Sequence, residues 1–146
     1  HGERDITRSG LDNSSAVLMP KHSLLLSTRA PIGYLAISNN EICTNQGFKS
    51  IVPNAGYHGY FIYYLLKRNV SAIAQQGVGT TFKEVSKDTL SNFAVPLPSK
   101  ILANNFAEKV TPLCEKRCVL EEENRELERL RDWLMPMLMN GQARVE

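Results

Sequence analysis

The stretch Ser23–Ser38, SLLLSTRAPIGYLAIS, decides the fold class. Two apolar runs of strand length, Ser23–Thr28 and Gly33–Ser38, flank Ala30-Pro31 and Ile32-Gly33, and proline and glycine at that point end any helical continuation. The pair reads as two strands with a short connection. Working outward, Phe48–Pro53 (FKSIVP) is a third run of strand length, with Asn39-Asn40 and Pro53-Asn54 as turns. Gly59–Lys67 (GYFIYYLLK) then loses the alternation. It sets Phe61 with Leu65 and Ile62 with Leu66 at helical spacing, which predicts a buried helix continued by Val70–Gln75. A glycine-bearing loop, Gln76–Lys83, follows. Ser86 is a candidate N-cap for a short helix over Lys87–Leu90, and an extended Phe93–Pro98 comes next, whose Pro96 and Pro98 forbid helix. Strands cluster ahead of the helix instead of alternating with it, so residues 1–98 are expected to form a mixed α+β domain.

From Ser99 the texture changes to a single amphipathic segment, residues 99–146, whose helix stops at Asn140-Gly141. Phe106, Leu113, Leu120, Leu127 and Leu134 recur every seven residues, and Val110, Arg117, Asn124, Arg131 and Leu138 form the interleaved series. Alternating steps of four and three make a coiled-coil seam. Three successive positions of the second series are polar. A seam asparagine specifies register or orientation, and a seam arginine needs an acidic partner, for which Glu121, Glu122, Glu123, Glu126 and Glu128 on a facing helix are candidates. At 1.5 Å per residue the seam reaches about 50 Å. A domain of about 100 residues has a radius of gyration of about 13 Å, so the helix is expected to overhang. Pro112 and Pro136 lie within it and are expected to bend it.

The 146 residues suffice for one ordinary domain and such an appendage, but not for two full domains. Formal net charge is only +2, yet residues 1–100 hold 10 Lys+Arg against 6 Asp+Glu while residues 101–146 hold 7 against 9. A +4 domain beside a −2 helix fits a polyanion for the first and protein for the second. Three cysteines, Cys43, Cys114 and Cys118, make no even disulfide framework, and the last two stand four apart on a helix. The chain reads as reduced and cytoplasmic. No apolar run approaches the roughly 20 residues that span a bilayer, and no membrane partner is expected.

Catalytic signatures are missing from the sequence. Gly77-Val78-Gly79-Thr80-Thr81 lacks the spacing and the lysine of a phosphate-binding loop, no dinucleotide fingerprint occurs, and His1, His22 and His58 are scattered away from other metal ligands. No cofactor, no metal and no catalytic residue is expected. What remains is a basic, polar, loop-rich surface. Arg29, Asn45, Gln46, Lys49, Tyr57, His58, Thr80, Thr81, Lys83 and Lys87 are of the types that duplex recognition uses: Arg and Lys for phosphate and guanine, Asn and Gln for adenine edges, Thr for phosphate or the thymine methyl.

The ordered succession ITRSGLDNSSAVLMPKHSLLLSTRAPIGYLAI, CTNQGFKSIVP, YFIYYLL, GVGTTFKEVSKDTLSNFAVPLP and LERLRDWLMPMLMNGQ resembles the specificity subunit of type I restriction–modification systems. It is similar to one target-recognition domain followed by its conserved-region helix, over about residues 5–144. The resemblance implies a non-catalytic subunit that reads one half of a split DNA target and holds methyltransferase subunits on the duplex, with the restriction subunits joining through the complex. Arg29 and Gly33, then Asn45, Gln46 and Gly47, then Gly79, Thr80, Thr81 and Lys83 match motifs that recur among members with different targets. The resemblance therefore assigns them to fold support or phosphate contact more than to base reading. It also implies strands ahead of the ITRSGL region that this sequence does not carry, and so an open sheet edge.

The expectation is a half-specificity subunit that dimerises through the helix. Antiparallel pairing is what the family spacer implies, while Asn124 alone suits a parallel zipper equally. The alternative is a coiled-coil interaction module that assembles or modulates such a complex without reading DNA.

Overall fold

The computed structural model describes residues 5–53, 56–79 and 83–143. The chain divides into two compact units, His1–Ala107 and Glu108–Glu146. In the first, helix α1 (Arg8–Asp12) is capped by Thr7, whose hydroxyl accepts from the Gly10 amide at 3.1 Å. Strands β1 (Leu24–Ser27), β2 (Leu35–Ile37) and β3 (Phe48–Ile51) form an antiparallel sheet in the order β2-β1-β3. Leu24 stands opposite Ile37 on one side and Ile51 on the other; Leu26 stands opposite Leu35 and Lys49. The central strand is buried throughout from Ser23 to Thr28, which is why its apolar run does not alternate. On β2 alternation returns, with Ala36 exposed between half-buried Leu35 and Ile37.

Helix α2 (Gly59–Gln75) packs on β2. Its Ile73 joins Leu26 and Val85 in the innermost cluster, with Ile32, Leu35, Leu66, Leu90 and Phe93 packed around them. At the N-terminal half, Phe61 and Tyr64 present their rings edge-on to Phe106, with centroids 6.2 and 5.8 Å away. The first two turns of helix α4 (Lys100–Met139) thereby belong to the globular unit, with Ala103 and Ala107 buried. Between them, α3 (Lys87–Ser91) is capped by Ser86, which accepts from the Thr89 amide at 3.0 Å.

In the second unit α4 stays a single helix through Pro112 and Pro136, although each proline removes a donor from the carbonyl four residues before it. It stops where expected. Gly141 takes φ +69°, and the amides of Gly141 and Gln142 turn back to the Leu138 and Met137 carbonyls at 3.2 and 2.8 Å.

The elements follow the expected α+β order with local shifts. Strand β2 begins at Leu35 rather than Gly33, because Gly33 adopts φ +106° with its α-carbon against Val70. Strand β3 ends at Ile51, and α2 runs unbroken to Gln75, with the Asn69 side chain donating to the Leu65 carbonyl at 2.8 Å. None of Cys43, Cys114 and Cys118 is joined in a disulfide. Among the described residues no helix is long and apolar enough to cross a membrane.

Candidate nucleic-acid interface

The site is built around the end of β1. Thr28, fully buried, donates its amide and its hydroxyl to the Gly47 carbonyl at 2.8 and 3.3 Å, and its own carbonyl accepts from the Val85 amide at 3.0 Å. One residue thus ties together three loops: the one after β1, the one before β3, and the one leading into α3. Ser27 shapes the first of these. Its hydroxyl donates to the Pro31 carbonyl and accepts from the Tyr34 amide, both at 2.8 Å, while the Gly33 amide donates to the Ser27 carbonyl at 3.0 Å. Gly33 is required there: a Cβ would stand 2.5 Å from Val70 Cγ1. Asn45 shapes the second loop, its side-chain oxygen accepting from the Gly47 amide at 2.9 Å in an Asx-turn.

The third loop brings a carboxylate. Glu84 is bridged through its backbone to Val78, with both N–H···O distances 3.0 Å, and in the antiparallel sense to Arg29. Its side chain then meets two cations: Arg29 Nε donates to Oε2 at 3.1 Å, and Lys49 Nζ lies 3.9 Å from Oε1. Arg29 comes from the loop after β1, Lys49 from β3 and Glu84 from the third loop. Arg29 and Lys49, singled out by residue type, are therefore gathered at one end of the sheet. Lys83 precedes Glu84 and is exposed, Lys87 opens α3 and is exposed, and Gln46 is exposed in the second loop. Thr80 and Thr81 lie outside the described residues.

Tyr57 and His58 are not brought to this cluster. His58 Nδ1 accepts from the Tyr60 amide at 3.2 Å as the cap of α2, and the Tyr57 hydroxyl donates to the Pro98 carbonyl at 3.1 Å. Gly59 beside them lies against the His22 carbonyl, at the start of β1, whereas Val70 further along α2 touches Gly33 beyond the strand's end. Helix α2 is 17 residues long, about 25 Å, and so separates its cap from the Arg29 cluster.

On α4, Phe106 is engaged with Phe61 and Tyr64 in the globular unit. In the second unit Leu113, Leu120, Leu127 and Leu138 are exposed by 69, 48, 62 and 40%, too much for core side chains, while Val110 and Leu134 are half-buried. Arg117 finds its acid on its own helix, Glu121, at 3.2 Å, and Arg131 pairs with the adjacent Asp132 at 2.8 Å; Asn124 is exposed. Val119, Leu130, Trp133, Met135 and Met139 are exposed too, so the apolar surface is broader than the seam.

Sequence reasoning passed over Thr28 and Glu84. The available signal for Glu84 was its place in GVGTTFKE, an acid amid the basic candidates. Among the described residues no group of three His, Cys, Asp or Glu could hold a metal.

Residues 2–129 match the family model of the type I restriction modification DNA specificity domain. The chain is 40% identical over 100 residues to the type I restriction enzyme MjaIX specificity subunit of Methanocaldococcus jannaschii, covering 67% of this chain and 23% of that protein. It is 29% identical over 138 residues to the type I restriction enzyme HindI specificity subunit of Haemophilus influenzae, covering 91 and 30%. Among solved structures, that of the type I restriction–modification system S subunit from M. genitalium shares the fold. Its TM-score is 0.65 at 19% identity, covering 82% of this chain and 33% of that one. The chain thus spans between about a quarter and a third of the length of these relatives.

Proposed function

Because the chain belongs to the type I restriction modification DNA specificity domain family, we propose that it is a non-catalytic sequence-specificity component that recognises half of a split DNA target. The observation that carries this reading is the gathering of three loops at the end of β1 by Thr28, with Arg29 and Lys49 meeting on one carboxylate and Lys83 next to it in sequence. Backbone-tied loops that deliver cations from separate elements make a pre-arranged surface for phosphate, beside which the exposed Gln46 can reach a base edge. Double-stranded DNA is the proposed ligand, and the cytoplasm the proposed setting.

The helix of residues 99–146 supplies the second half of the proposal: recruitment of methyltransferase subunits, with restriction subunits joining through them, and self-association along Leu113, Leu120, Leu127 and Leu134. Antiparallel pairing suits the seam. Parallel in-register pairing would set Arg117 and Arg131 each against its own copy, while antiparallel pairing opposes them to leucine positions.

The test is a titration of a labelled mixed-sequence duplex with the chain at several salt concentrations. Binding whose log affinity falls linearly with log salt is expected. No binding above background at low salt, with or without the methyltransferase subunit, overturns the DNA reading. It would leave the second one, an interaction module without DNA recognition, which the exposed helix face favours.

A further inference from the structure

We propose that Glu84 is a positioning residue that holds Arg29 and Lys49 in the arrangement that meets DNA phosphate, a role that rests on the DNA-binding reading above. An acid between two cations is at first sight a liability for binding a polyanion, since it cancels positive charge where the phosphate must come. Three features make Glu84 a fixture instead.

Its backbone is paired on two sides, to Val78 through two N–H···O bonds of 3.0 Å and opposite Arg29 in an antiparallel bridge, which restricts its Cα. Its two oxygens are divided between the cations, Oε2 to Arg29 and Oε1 to Lys49, so one side chain sets their spacing. It also engages Arg29 through Nε alone. A guanidinium is planar with five N–H donors, and the bond at Nε restricts the orientation of that plane while leaving the four in-plane donors of the terminal nitrogens outside the pairing with Glu84. The Arg29 side chain is 51% exposed and so accessible to a ligand, whereas Lys49, at 25%, is held closer to the sheet. Ordering a long cationic side chain before encounter lowers the entropy lost on binding.

The sign of one substitution separates this role from simple proximity. Glu84→Gln makes the chain one unit more positive at nearly constant volume. An acid that merely lies nearby would, when neutralised, tighten duplex binding; a positioning acid, when neutralised, loosens it. In the full chain with a labelled mixed-sequence duplex, Glu84→Gln is expected to weaken binding by about threefold to tenfold. The control Glu41→Gln, at an exposed acid, leaves binding unchanged or tighter. In an Arg29→Ala background, where nothing remains for Glu84 to orient except Lys49, Glu84→Gln should no longer weaken binding comparably.

A second readout needs no DNA: in the ligand-free chain the Arg29 Nε–H resonance should exchange slowly and lose that protection in Glu84→Gln. Tighter binding by Glu84→Gln, or an Arg29 resonance indifferent to the change, overturns the role. A wild-type chain that binds no duplex at low salt overturns the reading beneath it and this role with it. That failure is distinct from a wild-type chain that binds and a variant that binds better.

Discussion

Arg29 and Glu84 stand opposite each other in an antiparallel bridge, beside the Val85 N–H to Thr28 carbonyl bond of 3.0 Å, and their side chains meet, Nε to Oε2 at 3.1 Å. They are 55 positions apart in the chain. The double connection couples the loop after the central strand to the loop leading into α3, and Lys49 on β3 shares the same carboxylate. Of the cations that the proposed function needs, Lys49 is mounted on the sheet and Arg29 on the loop that leaves its central strand.

Arg29→Ala is expected to weaken duplex binding about fivefold and to lower the steepness of the salt dependence by about one, as the loss of one phosphate contact requires. Fluorescence anisotropy across a salt series measures both. An unchanged affinity and slope would remove Arg29 from the interface.

His58→Ala should behave in the opposite way. Its ring caps α2 by accepting from the Tyr60 amide, at the start of β1 away from Arg29. Loss of the cap is expected to cost about 0.5–2 kcal/mol of stability in urea unfolding. Duplex affinity of the folded chain should stay within about twofold of wild type; a larger drop would place His58 at the DNA after all.

Gly33→Ala tests how tightly the loop after β1 is held. The residue has φ +106° and its α-carbon abuts Val70, so the variant meets both backbone strain and a clash. A loss of about 1–3 kcal/mol is expected from the backbone alone. Adding Val70→Ala should recover part of the loss by relieving the clash but leave the dihedral strain. An unfolding midpoint equal to wild type contradicts this loop geometry.

Leu120→Asp and Leu127→Asp address the helix. Both leucines lie on the proposed seam and are exposed by 48 and 62%. Sedimentation should find the wild-type chain associated and either variant monomeric, with the far-ultraviolet helical signal of the globular unit retained. A wild-type monomer at tens of micromolar concentration contradicts the self-association.

What was legible in the sequence follows from the range of each interaction. The three strands could be read because apolar runs and turn residues are local. The long helix could be read because its heptads and its terminal Asn140-Gly141 are local too. Helix α1 went unread since five residues carry no periodicity; Thr7 is its one signal. At the candidate site, Arg29 and Lys49 were chosen by residue type, and both meet Glu84, whose pairings are made by tertiary structure and so were not legible in the sequence. Tyr57 and His58 were chosen for the same chemistry; the His58 ring accepts from the Tyr60 amide at the start of α2, and the Tyr57 hydroxyl donates to the Pro98 carbonyl. The in-helix bond of Arg117 to Glu121 likewise supplies from i+4 an acid that seam reasoning sought on a facing helix.

Sequence-selective recognition of duplex DNA is the central claim, and selection from a randomised duplex pool by the wild-type chain, together with its methyltransferase subunit, tests it most directly. The account predicts enrichment of one short sequence, with recovery falling when Arg29 or Lys49 is replaced by Ala. A bound pool with the same base composition at every position as the input would contradict it.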